Sequence, residues 1–219
     1  MSHEHHLELS PRKTFFYHLV AFVLRGLSAI FFRPVIVGAE NIPATGPVLV
    51  APVHRSNLDF AFSLFMSPRK VFFMAKDSLF RIPVLGGALI ALGAFPVARG
   101  SADREAMRAA ESVLRAGHAL ILFPEGTRKY GPTVEDLHDG AMFIAARTGA
   151  QVVPVGIAGT EQVVAFRGGL PRFSKVRMVV GAAIAPVSSE GRPSRSAIAA
   201  KTEELRVALE DVYGQSRAL

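Results

Sequence analysis

The chain has no cysteine and no tryptophan in 219 residues, and only 3 tyrosines. Without cysteine there is no disulfide, no thiolate nucleophile, no Fe–S cluster and no thiolate-liganded zinc. That absence fits a reducing compartment. No Lys/Arg run exceeds two residues, which argues against a nucleic-acid binder. No Gly-x-Ser-x-Gly elbow occurs, so a serine hydrolase would lack its nucleophile turn. The 19 glycines and 14 prolines follow no fixed period, and no internal repeat is visible, so collagen-like, low-complexity and solenoid folds are out. There is no secretory leader pattern either: Met1 to Ser10 is polar and His-rich. His3, His5 and His6 are read as part of an unstructured start rather than as a metal site.

What is present is an oily, basic chain. Hydrophobic residues make up 50% and charged ones 20%, enough for the core of one ordinary domain. Lys plus Arg number 25 against 18 Asp plus Glu, a net charge of +7. The pI is near 10.2 and the mean hydropathy +0.31. Oily and basic together point to an anionic membrane surface, with no nucleic acid among the partners. The apolar segment Phe15 to Phe32 reads FFYHLVAFVLRGLSAIFF. As a helix it would reach about 27 Å, marginal for a hydrocarbon core, and Arg25 near its middle would be costly there. The expectation is one helix, or two short ones, lying in the interface with Arg12, Lys13, Arg25 and Arg33 near headgroups. An ordinary helix packed on its own core is the alternative. Residues 1–33 are thus a polar start and a membrane-associating helix, and 34–219 the folded domain. The implied location is peripheral or monotopic on the cytoplasmic face of the cell membrane.

From Pro34 onward short apolar runs alternate with helical patterns. Val48 to Val53, Val71 to Ala75, Leu92 to Val97, Ala119 to Phe123, Val152 to Ile157 and Val176 to Val180 read as strands, several apolar throughout as in strands covered on both faces. Helices are expected from Ser101 to about Ala116, from Gly140 to Thr148, and after Ser194, where Ile198, Thr202, Leu205, Leu209 and Val212 recur at helical spacing. This alternation predicts a single α/β domain, a largely parallel, mixed sheet flanked by helices. Sites in such sheets collect at the carboxyl ends of the strands.

Three constellations stand there. His54-Arg55-Ser56-Asn57-Leu58-Asp59 follows the first strand. In one continuous helix His54 and Asp59 would point about 140° apart, so they meet only if the chain turns. Ser56 or Asn57 is suited to cap a helix there, putting Asp59 in its first turn, where it would accept the His54 Nδ1 proton and leave Nε2 as a base. Ser56-x-x-Asp59 is equally a plain capping box. Phe123-Pro124-Glu125-Gly126-Thr127-Arg128 follows another strand, with Gly126 for a tight turn and Arg128 as a planar fork for phosphate. Glu125 would orient arginines, hold a backbone amide or bond a substrate hydroxyl. Gly93 to Arg99 delivers a second strand-end arginine. A base beside a phosphate cradle and an oily anchor implies chemistry on a hydroxyl of a phosphorylated lipid.

In this order the residues resemble the 1-acylglycerol-3-phosphate O-acyltransferase (PlsC-like, lysophosphatidic acid acyltransferase) family, over about Val35 to Thr160. His54 and Asp59 match its H-x4-D motif, Gly93 to Arg99 its glycine-to-arginine block, Phe123 to Arg128 its F-P-E-G-T-R, and Val153-Pro154-Val155-Gly156-Ile157 its apolar fourth motif. Lys76, with Pro83 and Gly86, is a smaller match. Val53 replaces a common asparagine, and Leu137-His138-Asp139-Gly140 a common Phe-Lys-x-Gly. The resemblance implies transfer of a fatty acyl group from acyl-CoA or acyl carrier protein to a lysophospholipid hydroxyl, with lysophosphatidic acid the first acceptor and a glycolipid or another lysolipid the rival. A noncatalytic peripheral lipid-binding protein is the rival of another class. It implies His54 as base and Asp59 as its orienter. Arg99, Glu125, Gly126, Thr127 and Arg128 fall at the acceptor phosphate, and Lys76 and Pro154 near the acyl donor. Backbone amides around the first motif are candidates for oxyanion donors. No metal or bound cofactor is implied.

Overall fold

The computed structural model of the protein describes residues 11–67, 69–97, 104–163, 173–187 and 193–219. A seven-stranded sheet forms its centre: β1 (Val35–Val37), β2 (Val48–Pro52), β3 (Val71–Lys76), β4 (Ala94–Val97), β5 (Ala119–Ile121), β6 (Gln151–Ala158) and β7 (Arg177–Val180). The spatial order is β1-β7-β6-β2-β5-β3-β4. Strands β6, β2, β5, β3 and β4 run parallel, β7 lies antiparallel to β6, and β1 is parallel to β7. All five residues of β2 are buried, which explains its unbroken apolar sequence: it lies mid-sheet with both faces covered.

The helices are α1 (Pro11–Phe32), α2 (Asp59–Met66), α3 (Leu85–Ala91), α4 (Arg104–Arg115), α5 (Gly140–Thr148), α6 (Thr160–Val163) and α7 (Arg195–Ala218). Helix α7 packs on β6 and β7 through Ile198, Thr202, Leu205, Leu209 and Val212, the residues picked out by spacing. Ser194 caps it by accepting from the Ala197 amide at 3.1 Å. Helix α1 is continuous and packs against α2 and α3, with Tyr17 buried and Phe32 edge-on to Phe62 at 5.6 Å. Phe62, Phe72 and Phe73 belong to the core.

Three elements differ from expectation. Val35–Val37 forms an edge strand too short to show a period. Leu85–Ala91 is helical despite two glycines, so β4 starts at Ala94 rather than Leu92. The strand expected to reach Phe123 ends at Ile121, although Leu122 still donates to the Val50 carbonyl at 3.0 Å. Ser101, the expected cap of α4, lies outside the described residues.

Candidate active site

Parallel strands carry their ends to one edge of a sheet, and this is where the candidate residues fall. His54 follows β2, Lys76 ends β3, Phe123 to Arg128 follows β5, and Thr160 follows β6. Strand β4 ends at Val97, in register with Lys76. Arg99, expected just beyond, lies outside the described residues.

Val53 prolongs β2 by donating to the Val155 carbonyl at 3.0 Å, and the chain then turns before α2 starts at Asp59. The turn brings His54 Nδ1 to 3.0 Å from Asp59 Oδ2. The same oxygen accepts the amides of Arg55 and Ser56, each at 2.6 Å. Ser56 Oγ accepts the Leu58 amide at 3.3 Å, and Asp59, in the first turn of α2, reaches back to the Ser56 amide, the reciprocal half of the expected capping box. A carboxylate accepting amide protons has only acceptor sites left for the imidazole, which assigns the proton to His54 Nδ1 and leaves Nε2 as the basic nitrogen. Nε2 makes no hydrogen bond among the described residues. Asp59 is fully buried while the His54 side chain keeps 16% exposure, so the imidazole faces outward and its partner inward. Phe123 stacks on the imidazole at 4.1 Å.

Glu125 sits beneath this turn. Its Oε2 accepts the His54 amide at 2.7 Å, and both oxygens lie 2.8 Å from Arg55 Nη1. Arg55 also donates to the Thr133 carbonyl at 2.9 Å and lies over the Tyr213 ring at 4.8 Å. Burial opposes the Arg55 charge most strongly, yet Glu125 and then Tyr213 outweigh it, so the guanidinium pKa is raised. Of the roles open to Glu125, the geometry supports holding an arginine and a backbone amide. That arginine is Arg55, and the carboxylate is not free for an acceptor headgroup. The amides of His54, Arg55 and Ser56 are spent on Glu125 and Asp59, so they are not oxyanion donors in this arrangement.

Gly126 turns the loop at φ +69°, with the His138 ring against it. Gly126, Thr127 and Arg128 are all exposed, and Arg128 has no hydrogen bond or ion pair among the described residues. Lys129 ties this loop to the turn after β2 by donating its amide to the His54 carbonyl at 2.9 Å. Lys76 is exposed at the same edge. Pro154 is not there: it is buried mid-strand opposite Ala51, its carbonyl accepting from Gly181 at 2.9 Å. It lines a groove of about 640 Å³ against α7.

Sequence reasoning missed two residues. Arg55 had no pattern to reveal it, because its partner is 70 positions away. Thr160 donates to Asp59 Oδ1 at 2.5 Å, and its place directly after a strand end was the available signal.

A family model described as acyltransferase matches residues 33–158. The chain is 28% identical over 176 residues to a 1-acyl-sn-glycerol-3-phosphate acyltransferase of Bacillus subtilis, covering 79% of this chain and 84% of that protein. It is 28% identical over 185 residues to the chloroplastic 1-acyl-sn-glycerol-3-phosphate acyltransferase LPAT1 of Arabidopsis thaliana, covering 82% of this chain and 52% of the relative. The chain spans about half the length of the plant relatives it matches. The crystal structure of the 1-acyl-sn-glycerophosphate acyltransferase PlsC of Thermotoga maritima superimposes with a TM-score of 0.74 at 25% identity, over 95% of this chain and 84% of that one.

Proposed function

The chain belongs to the acyltransferase family, and on that premise we propose that it moves a fatty acyl group from a thioester, acyl-CoA or acyl carrier protein, to the free hydroxyl of lysophosphatidic acid, giving phosphatidic acid. The observation that carries this reading is the buried Asp59 carboxylate 3.0 Å from Nδ1 of a partly exposed His54. Nε2 removes the hydroxyl proton as that oxygen attacks the thioester carbonyl carbon. Asp59 holds the ring and stabilises the imidazolium. When the C–S bond breaks, the thiolate takes the proton back from Nε2. Both bond changes occur between the two substrates, so no acyl-enzyme is needed.

Arg128 is the exposed cation on the loop bound to the His54 carbonyl, and with Arg99, Gly126 and Thr127 it holds the acceptor phosphate so that the hydroxyl meets the base. Lys76, exposed at the same edge, serves the donor side. Purified protein with labelled acyl-CoA and a panel of lysophosphatidic acid, lysophosphatidylcholine and a glycolipid tests the reading by product mass. Phosphatidic acid as the main product supports it. Preference for a neutral-headed acceptor contradicts the phosphate assignment, and thioester hydrolysis without transfer contradicts the reaction class.

No helix among the described residues is long and apolar enough to cross a membrane. We place α1 on the bilayer surface instead, with the protein peripheral or monotopic on the cytoplasmic face. Leu19, Phe22, Val23, Leu27, Ile30 and Phe31 recur at helical spacing and are exposed, Phe22 to 75% and Ile30 to 69%. Arg25 turns to the protein, donating to the Ser67 carbonyl at 3.3 Å, rather than to headgroups. A chain beginning near Pro34 should lose liposome flotation on anionic vesicles; undiminished binding would reject this placement.

A further inference from the structure

The two oxygens of the buried Asp59 carboxylate have different partners. Oδ2 takes the Arg55 and Ser56 amides and faces His54. Oδ1 has one partner among the described residues, the Thr160 hydroxyl at 2.5 Å, brought from 101 positions away. Thr160 is itself 0% exposed. Gly159 delivers it: φ is +94° there, and a Cβ would collide with the Lys175 carbonyl oxygen, so the turn out of β6 admits only glycine. Because a buried carboxylate oxygen without a donor is costly, Asp59 deprived of this hydroxyl would rotate to share its remaining donors, and Oδ2 would leave the imidazole.

We propose that Thr160 is a positioning residue for acyl transfer. Its hydroxyl satisfies Asp59 Oδ1, locks the carboxylate rotamer, and so keeps the proton on His54 Nδ1 and the base at Nε2. This rests on the reading of His54 and Asp59 as the base pair.

The test compares wild type, Thr160→Val, Thr160→Ser and His54→Ala as full-length protein with acyl-CoA and lysophosphatidic acid, from about pH 5 to about pH 9, alongside the ¹⁵N-histidine spectrum and melting temperature. Thr160→Val should lower kcat roughly ten- to a hundredfold with acceptor KM within about twofold, and mix the His54 tautomers. Thr160→Ser, which keeps the hydroxyl, should stay within roughly threefold of wild type. A wild-type kcat with a single His54 tautomer in Thr160→Val overturns the proposal. So does equal damage in Thr160→Ser, which would mean the methyl group matters and not the hydroxyl. If Thr160→Val does not fold, Thr160→Ala carries the same comparison, and wild-type kinetics there overturn it equally. An active His54→Ala would remove the base-pair reading itself, whereas an inactive His54→Ala beside an unimpaired Thr160→Val removes only the role of Thr160.

Discussion

Arg55 and Glu125 form a buried ion pair at 2.8 Å that joins the turn after β2 to the loop after β5. The His54 backbone is held between them, its amide on Glu125 and its carbonyl 3.2 Å from Arg55 Nη1. The His54 imidazole is therefore positioned by a charge pair beneath its own backbone.

Glu125→Gln keeps the shape and removes the charge, leaving the Arg55 cation buried without its counter-ion. The expected cost is about 3–5 kcal/mol of stability, read from urea unfolding, with a fall in kcat as the His54 amide is released. A variant of unchanged stability with only a raised acceptor KM would make Glu125 a substrate ligand instead.

Arg128 has no partner to lose among the described residues, so its removal should leave folding unaffected. Arg128→Ala is expected to raise the acceptor KM roughly ten- to a hundredfold, the loss of one charge-assisted contact of about 1.5–3 kcal/mol, with donor KM unchanged. Initial-rate kinetics with each substrate varied in turn decide this. An effect confined to the donor would move Arg128 to the thioester side.

His118 lies against Phe72 at 5.0 Å. Burial first, then the charges of Arg69 and Lys70, hold its imidazole pKa below the ordinary value. The unfolded chain, with a histidine pKa of about 6.5, binds more protons than the native state between the two values. This contribution to stability is complete above about pH 6.5 and is lost as the pH falls from there to the folded pKa. The urea midpoint should drop across that window, and His118→Gln should flatten the drop. An identical slope in the variant would exclude His118 as the titrating group.

The amount of this molecule legible in its sequence followed from how local each signal was. Strands β2, β3 and β6 and helix α7 could be read because an apolar run or a helical stripe lies within one segment. β1 and α3 could not: three residues show no period, and two glycines hide a helix whose stability comes from packing. The insertion of β6 between β2 and β7 is a property of the whole sheet. At the site, the turn between His54 and Asp59 and the capping role of Ser56 were readable, but the Arg55–Glu125 pair beneath them was not, because its members are 70 positions apart. Helix α7 contributes Tyr213 beneath Arg55 and Glu210, which accepts the Val134 amide at 2.7 Å. Those contacts depend on where α7 docks, which no local pattern records.

The role of His54 as the base is tested most directly by kcat for acyl transfer in His54→Ala, with melting temperature as the control for folding. A folded variant with transfer reduced by about a thousandfold or more is the predicted result. Transfer within a few-fold of wild type would contradict it and assign the proton to another group.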